Sequence, residues 1–499
     1  MEAFPAMNAG NTRDSHGSAS DLACARAAAE AATAASPARW SDGERHEINP
    51  SLHVLQLSWR HLGPHIVIDN PAAGALEPEP GEEILLVWKS PSDGKVVARA
   101  AGTDDLLALK LVVEGISPHE AAASGAVSEG AIENILARAA DIGIVLAPRP
   151  LIRRTDDFPR GEVTDESFFT SAGFTLQWHL TQSCDLHCRH CYDRSARATV
   201  PLSDALRVLD DLRAFCQARR VSGHVSLSGG NPLLHPHFTE IYRAAASHGF
   251  GLVILGNPAP RERIEELIAI RRPGFYQVSL EGLPEHNDWV RGPGHFERTV
   301  AFLGILKELG VSTMVMLTLT ADNIDQVIPL TERLRGLVDD FHFNRLAMVG
   351  EGANLRLPTR ERYTRFLGEY LAAAEENPAL GIKDNLINIL RREREAAPFG
   401  GCTGFGCGAA FNFLAILPDG EAHACRKFPS PVGNVVRDGL AKVYDSEAAR
   451  RYRGGCSACR ECVIRPVCGG CLAVAHGFGL DPLRDRDPLC FLEQRLLKG

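Results

Sequence analysis

The chain has 499 residues, 45% of them hydrophobic and 23% charged, and it carries 14 Cys. That length corresponds to about three ordinary domains, each able to bury a core, and excludes a small disulfide-stapled scaffold. A net charge of −9 supplies no global basic field, so neither broad nucleic-acid binding nor attachment to an anionic membrane is expected.

No apolar run is long enough to span a bilayer, and the first residues lack a basic segment followed by an apolar one, which reads as a soluble cytoplasmic protein. Residues 1–46 are rich in Ala, Ser, Asp and Asn with few branched or aromatic residues, and are expected to form a largely disordered tail with weak helicity in the run ACARAAAEAATAAS. Residues 47–155 change to short β-type runs (LHVLQLSW, HIVID, EILLVWKS) followed by two helical patterns, DDLLALKLVVEG and SEGAIENILARAADIGIV. Strands followed by amphipathic helices suggest a small α+β module of the winged-helix kind. It has no basic recognition helix, which speaks against DNA binding; a plain dimerisation module is another reading, and the segment SPHEAAASGAVSEGAIENILARAADIGIVL resembles leader-peptide recognition domains.

Residues 166–350 alternate β-runs (FTLQWHLT, HVSLSGG, GLVILGN, FYQVSLEG, STMVMLTLT, DFHFNRLAMV) with amphipathic stretches. Such β–α units predict an α/β domain with a parallel sheet and right-handed crossovers. It is either an open doubly wound sheet or a partial (β/α)6 barrel, with its chemistry at the C-terminal strand ends. Residues 351–400 read as a helical connector. Residues 401–499, rich in Cys and Gly with little regular pattern, read as a segment that needs metal to fold.

Twelve cysteines fall in two places, with only Cys24 and Cys216 elsewhere. Directly after the first β-run of the α/β domain come Cys184, Cys188 and Cys191, at the spacing C-x3-C-x2-C. Three thiolates on one loop suit three corners of an iron–sulfur cubane and leave one iron open to a substrate or cofactor. The alternative, zinc, needs a fourth ligand such as His187 or His190.

This loop, at this place in a β/α domain, resembles the signature of the radical S-adenosylmethionine (SAM) enzymes. The resemblance implies a cluster that donates an electron to SAM, giving a 5′-deoxyadenosyl radical that abstracts hydrogen from substrate. Ser228-Gly229-Gly230-Asn231-Pro232 resembles the family's Gly-Gly-Glu-Pro segment, which meets the SAM amino group through the backbone, with Asn231 where Glu is usual. Ser279 and Glu281 match the segment that contacts the ribose, and Arg291 stands where related members carry an Arg that helps hold SAM; as a lone Arg it is equally readable as a surface cation.

The tail holds Cys402, Cys407, Cys425, Cys456, Cys459, Cys462, Cys468, Cys471 and Cys490. It resembles the SPASM extension of radical SAM enzymes, which holds two auxiliary four-iron clusters. That resemblance implies that Cys402, Cys407, Cys425 and Cys471 hold one, and Cys459, Cys462, Cys468 and Cys490 the other, with Cys456 spare or replacing a neighbour. A pair of zinc knuckles is the alternative. Full thiolate ligation favours electron transfer over substrate chemistry.

From residue 48 to 499 the chain resembles peptide-modifying radical SAM/SPASM maturases with an N-terminal leader-binding module. Stretches such as GNPLLHPHF, HNDWVRGPGHF and HACRKFPSPVGN resemble the maturases of selenobiotic or thio(seleno)oxazole-modified peptides. The resemblance implies three [4Fe-4S] clusters, SAM, a ribosomal precursor peptide and a flavodoxin- or ferredoxin-type reductant, with no nucleic acid and no membrane. The product class it implies is oxidative ring formation of the thioether type. A maturase that oxidises a Cys or Ser of a protein to an aldehyde, and a non-catalytic iron–sulfur or zinc scaffold, are the alternatives. No general base is assigned: His187, Asp193, His235 and His342 lie near strand ends and read as structural.

Overall fold

The computed structural model describes residues 18–35, 39–66, 76–125 and 127–492, and divides into two units, Met1–Arg149 and Pro150–Gly499. In the first unit, strands His53–Arg60, Glu79–Lys89 and Val96–Ala100 form an antiparallel meander with Glu79–Lys89 at its centre. The central strand is apolar on both faces: Leu85 and Val87 point one way, Leu86 and Trp88 the other, and all four are buried. Leu86 and Trp88 pack with Ala108, Leu109 and Leu111 of helix Thr103–Glu114 and with Ile132 and Leu136 of helix Glu129–Ile142. These are the two predicted helices. A short helix, Pro118–Ser124, lies between them, started by a Ser117 cap that accepts from the Glu120 N–H.

Leu85 and Val87 pack with Ala25 and Ala28 of a helix, Ser18–Ala34. The expected disordered tail is therefore corrected for these residues. Alanine is the strongest helix former, and a stripe of Ala25, Ala28 and Ala32 lets the helix lie close on a sheet without any long side chain. Residues 1–17 lie outside the described residues, as does most of the predicted run HIVID, whose first residue closes a 3-10 turn, Gly63–His65.

In the second unit six parallel strands, Gly173–Thr181, Ser222–Gly229, Gly251–Leu255, Tyr276–Ser279, Thr313–Leu319 and Asp340–Arg345, lie side by side in chain order. A doubly wound sheet would reverse its order midway; an unreversed order with right-handed crossovers puts every connecting helix on one face, as in a barrel. The outward residues Phe174, Leu176, Trp178, Val225, Leu227, Ile254, Val278 and Leu317 are buried under the helices. Alternation then turns His179, Ser228, Gln277, Ser279, Met316, Thr318 and Asn344 toward the inner face.

Residues 351–400 contain helices Arg360–Glu376 and Ile387–Glu393. The cysteine-rich tail is more regular than its composition suggests. Its strand Phe413–Ile416 runs parallel beside Thr175–Trp178, and Glu421–His423 and Pro431–Asn434 follow antiparallel, extending the sheet to nine strands. The run FNFLAIL carried this signal: every residue of Phe413–Ile416 is buried. Arg154, also buried, donates to the carbonyls of Phe405, Cys407 and Arg453, and so fastens the entry to the barrel onto the cysteine tail. Among the described residues no helix is long and apolar enough to cross a membrane.

Candidate active site

The first barrel strand ends at Thr181 and the cysteine loop follows. Gly230 N–H donates to the Thr181 carbonyl (2.8 Å) and Asn231 N–H to the Ser183 carbonyl (2.8 Å), so the turn after the second strand lies flat against the start of the loop. A Cβ on Gly229 would stand 2.3 Å from the Thr181 oxygen, and one on Gly230 2.3 Å from the Ser183 oxygen. The two glycines are therefore required by contact with the protein's own backbone, a different reason from the close ligand approach expected of them. The far side of the loop is pinned by Arg189, whose N–H donates to the Val290 carbonyl and whose Nε donates to that of Trp289.

Cys184, Cys188 and Cys191 line a cavity of about 400 Å3 at the C-terminal ends of the barrel strands. Of the residues matched to SAM contacts, Ser228, Gly229, Gly230, Ser279 and Arg291 line it as well. Two polar groups donate to the sulfurs: Arg291 Nη1 to Cys188 Sγ (3.6 Å) and Asn257 Nδ2 to Cys184 Sγ (3.7 Å). Burial pushes the Cys188 and Cys191 thiols up, so the thiolates that a cluster requires form with release of protons as it binds. Three thiols facing one cavity, with hydrogen bonds to two of them, fit a cluster with one open corner.

Three expected SAM contacts do not line this cavity. Glu281 is 1% exposed; one carboxylate oxygen accepts from Arg291 (2.5 Å) and lies 3.2 Å from His190 Nε2, and the other accepts from the Thr318 N–H (2.7 Å). Burial works to raise its pKa, but the charges of His190 and Arg291 outweigh it and hold Glu281 well below the usual carboxylate range. This carboxylate, expected at the ribose, is instead held by protein donors on both oxygens, and it orients Arg291. Asn231 caps the 3-10 turn Pro232–Leu234, accepting from the Leu233 N–H, and its Nδ2 donates to Asp185 Oδ1 (3.0 Å), to which Asn257 also donates (2.6 Å). A Glu here would face the Asp185 carboxylate, which explains why an amide suits this chain. Pro232 is buried in the same turn.

The sequence reading missed the inner-face residues His179, Gln277, Met316, Thr318 and Asn344, although strand alternation carried their signal, and also Arg426 and Lys427. Of the four strand-end groups read as structural, His187 and Asp193 line the cavity, bonded to Arg194 and to Gln182 and Ser195 respectively. His235 bonds the Val200 carbonyl and His342 bonds Asp340, both away from it.

Cys402, Cys407, Cys425 and Cys471 line one smaller cavity, and Cys459, Cys462, Cys468 and Cys490 another. The first shares Asn344, Arg345 and Lys427 with the large cavity as a common wall. Arg345 is buried between Asp384 and Asp487 (2.7 Å each), and Asp487 also accepts from the Cys471 N–H, which locks the last barrel strand to the tail. Burial pushes the Cys407 thiol up to about 12 and Cys425 to about 11. Cys456 lines neither smaller cavity, but it donates to the Asp485 carbonyl and shares a hydrogen bond with Cys459 of the second ring. Among the described residues, no three His, Cys, Asp or Glu side chains converge closely enough to hold a single ion.

A family model described as the radical SAM superfamily matches residues 178–334, and one described as an iron–sulfur cluster-binding domain, SPASM, matches residues 407–471. Mycofactocin maturase MftC of Mycolicibacterium smegmatis is 28% identical over 368 residues, 68% of this chain and 86% of that protein. The antilisterial bacteriocin subtilosin biosynthesis protein AlbA of Bacillus subtilis is 26% identical over 318 residues, 59% of this chain and 66% of that one. Streptococcus suis SuiB, solved bound to precursor peptide SuiA, shares the fold with a TM-score of 0.54 at 16% identity, over 82% of this chain and 97% of SuiB.

Proposed function

From the premise that this chain is a radical SAM/SPASM protein, we propose that it is an enzyme that modifies a ribosomally made precursor peptide by hydrogen abstraction and closes a ring oxidatively. The observation that carries this reading is the shared wall of Asn344, Arg345 and Lys427 between the cavity of the three-cysteine loop and the ring of Cys402, Cys407, Cys425 and Cys471. An iron–sulfur cluster held by Cys184, Cys188 and Cys191 would supply, with SAM, the radical that removes a hydrogen atom.

The chain's own residues do the rest. Ser228, Gly229, Gly230, Ser279 and Arg291 line the space in which SAM would lie, and Glu281 holds the Arg291 guanidinium in place. Ring closure removes two hydrogens from the peptide: one leaves as an atom, the other as a proton and an electron. A single layer of side chains between the two cavities keeps that electron's path short. The tail cysteines would serve as ligands to two auxiliary [4Fe-4S] clusters in the two sets given above, with a flavodoxin- or ferredoxin-type protein as reductant.

The N-terminal unit, a three-stranded sheet with helices on both faces, is assigned to leader-peptide recognition. Tethering a weakly bound peptide raises its effective concentration at the barrel mouth. MftC, a mycofactocin maturase by name, AlbA, named for bacteriocin biosynthesis, and SuiB, solved with its precursor peptide, support a peptide substrate.

The test is the mass of a short precursor peptide encoded beside this gene, co-produced anaerobically with the wild type and with Cys184→Ala. A loss of about 2 Da that requires Cys184 supports oxidative ring closure. An unchanged mass refutes it, and shifts attention to aldehyde formation on a protein substrate.

A further inference from the structure

Four arginines line the large cavity: Arg194, Arg291, Arg345 and Arg426. Three are spent on the protein itself. Arg291 pairs with Glu281, Arg345 with Asp384 and Asp487, and Arg194 with His187, the Cys188 carbonyl and Glu351. Arg426, half-buried, makes no hydrogen bond or ion pair with any described residue. Among the described residues, the sole carboxylate on the cavity wall, Asp193, is occupied by Gln182 and Ser195.

Arg426 follows Cys425 directly, so one explanation is that it balances the charge of the neighbouring cysteine ring. The lining of the two cavities argues otherwise. Lys383 and Lys427 border the cysteine ring, whereas Arg426 borders only the large cavity. Lys383 stands toward the cysteines and Lys427 lines both spaces, so the ring has its own cations, and Arg426 faces the space a substrate would enter. A guanidinium has five donors and no acceptor, and in a half-buried wall its best partner is a planar carboxylate that takes two parallel hydrogen bonds.

We propose that Arg426 is a specificity residue that receives a carboxylate of the substrate peptide, either an acidic side chain or the free C-terminus, and so fixes which residue lies over the cysteine loop. This rests on the peptide-modifying reading above and names the chemistry that it lacks.

The test is equilibrium binding to the cluster-loaded, SAM-bound full-length protein of three tripeptides: acetyl-Gly-Asp-Gly-amide, acetyl-Gly-Asn-Gly-amide, and acetyl-Gly-Gly-Gly with a free C-terminus. At least one of the two acids is expected to bind about tenfold tighter than the Asn amide, and the tighter of the two identifies the source of the carboxylate. Arg426→Gln is expected to abolish that preference and Arg426→Lys, which keeps the charge without the fork, to retain part of it. Equal binding of acids and amide, including no binding of any, overturns the proposal, as does a preference that survives Arg426→Gln. A weakened SAM affinity in that variant with the peptide preference intact would assign the guanidinium to SAM's own carboxylate and overturn it too. A carboxylate preference that depends on Arg426, together with an unchanged precursor mass, would refute ring closure alone.

Discussion

Asp185, between the first two cysteines of the loop, is held by two amides, Asn231 and Asn257, and Asn257 also reaches Cys184. Groups that orient a metal's ligands typically change its affinity by 10- to 100-fold when altered. Asn231→Glu sets a second carboxylate against Asp185, and the iron of this loop should become roughly tenfold more easily lost to a chelator. Adding Asp185→Asn should restore retention, and failure of that rescue would show that Asp185 is not the partner that matters. His179 makes a second case at this scale. Its Nε2 meets the Tyr192 hydroxyl at 3.1 Å, and burial lowers its pKa from 6.5 to about 3. The folded chain keeps this ring neutral while the unfolded chain takes up a proton below 6.5. Stability should therefore fall as pH drops from 6.5 toward 3, by up to about 1.4 kcal/mol per pH unit. Denaturant midpoints measured across that range should lose this part of their slope in His179→Phe. Neither Asn231's partner nor the burial of His179 was legible in the sequence, because both depend on what the fold brings opposite.

Among the elements, helix Thr103–Glu114 depends on its third residue. Asp105 bonds the Gly102 N–H (2.7 Å) and, through both oxygens, Arg99 (2.8 Å each). Burial would raise its pKa, but Arg99 and the Gly102 N–H outweigh that and bring it below the usual value. Its contribution is thus complete above about 3.8 and is lost as pH falls through the lower folded value. Asp105→Asn should cost about 1 kcal/mol at neutral pH, read as a shift in the urea midpoint. The six barrel strands and the helices between them were legible as elements because their periods are local. The pairing of Phe413–Ile416 with Thr175–Trp178 was not, since an apolar run of four residues does not name a partner more than 200 positions away. Glu281 shows the limit of a short motif: Ser-Leu-Glu predicted a ligand contact, whereas the loop and the helix after the fourth strand deliver His190 and Arg291 to the same carboxylate.

For the molecule as a whole, the division of the tail cysteines into two sets was implied by the resemblance to the SPASM extension; that the set of Cys402, Cys407, Cys425 and Cys471 borders the reaction space required the fold. If the three sets bind independently, Cys402→Ala and Cys490→Ala should each lower the iron content from about 12 to about 8 per chain. Each variant should leave the spectroscopic signal of the other ring in place. A collapse of all iron in either variant would instead mean that the tail folds as one unit around both rings.

The backbone ladder between Phe413–Ile416 and Thr175–Trp178 joins barrel and tail in one sheet. Hydrogen bonds of this kind act as a ruler. In the reaction proposed above, they would set the gap an electron crosses between the reaction space and the nearest cysteine ring. Solvent viscosity should therefore slow peptide entry and release while leaving the internal electron step untouched.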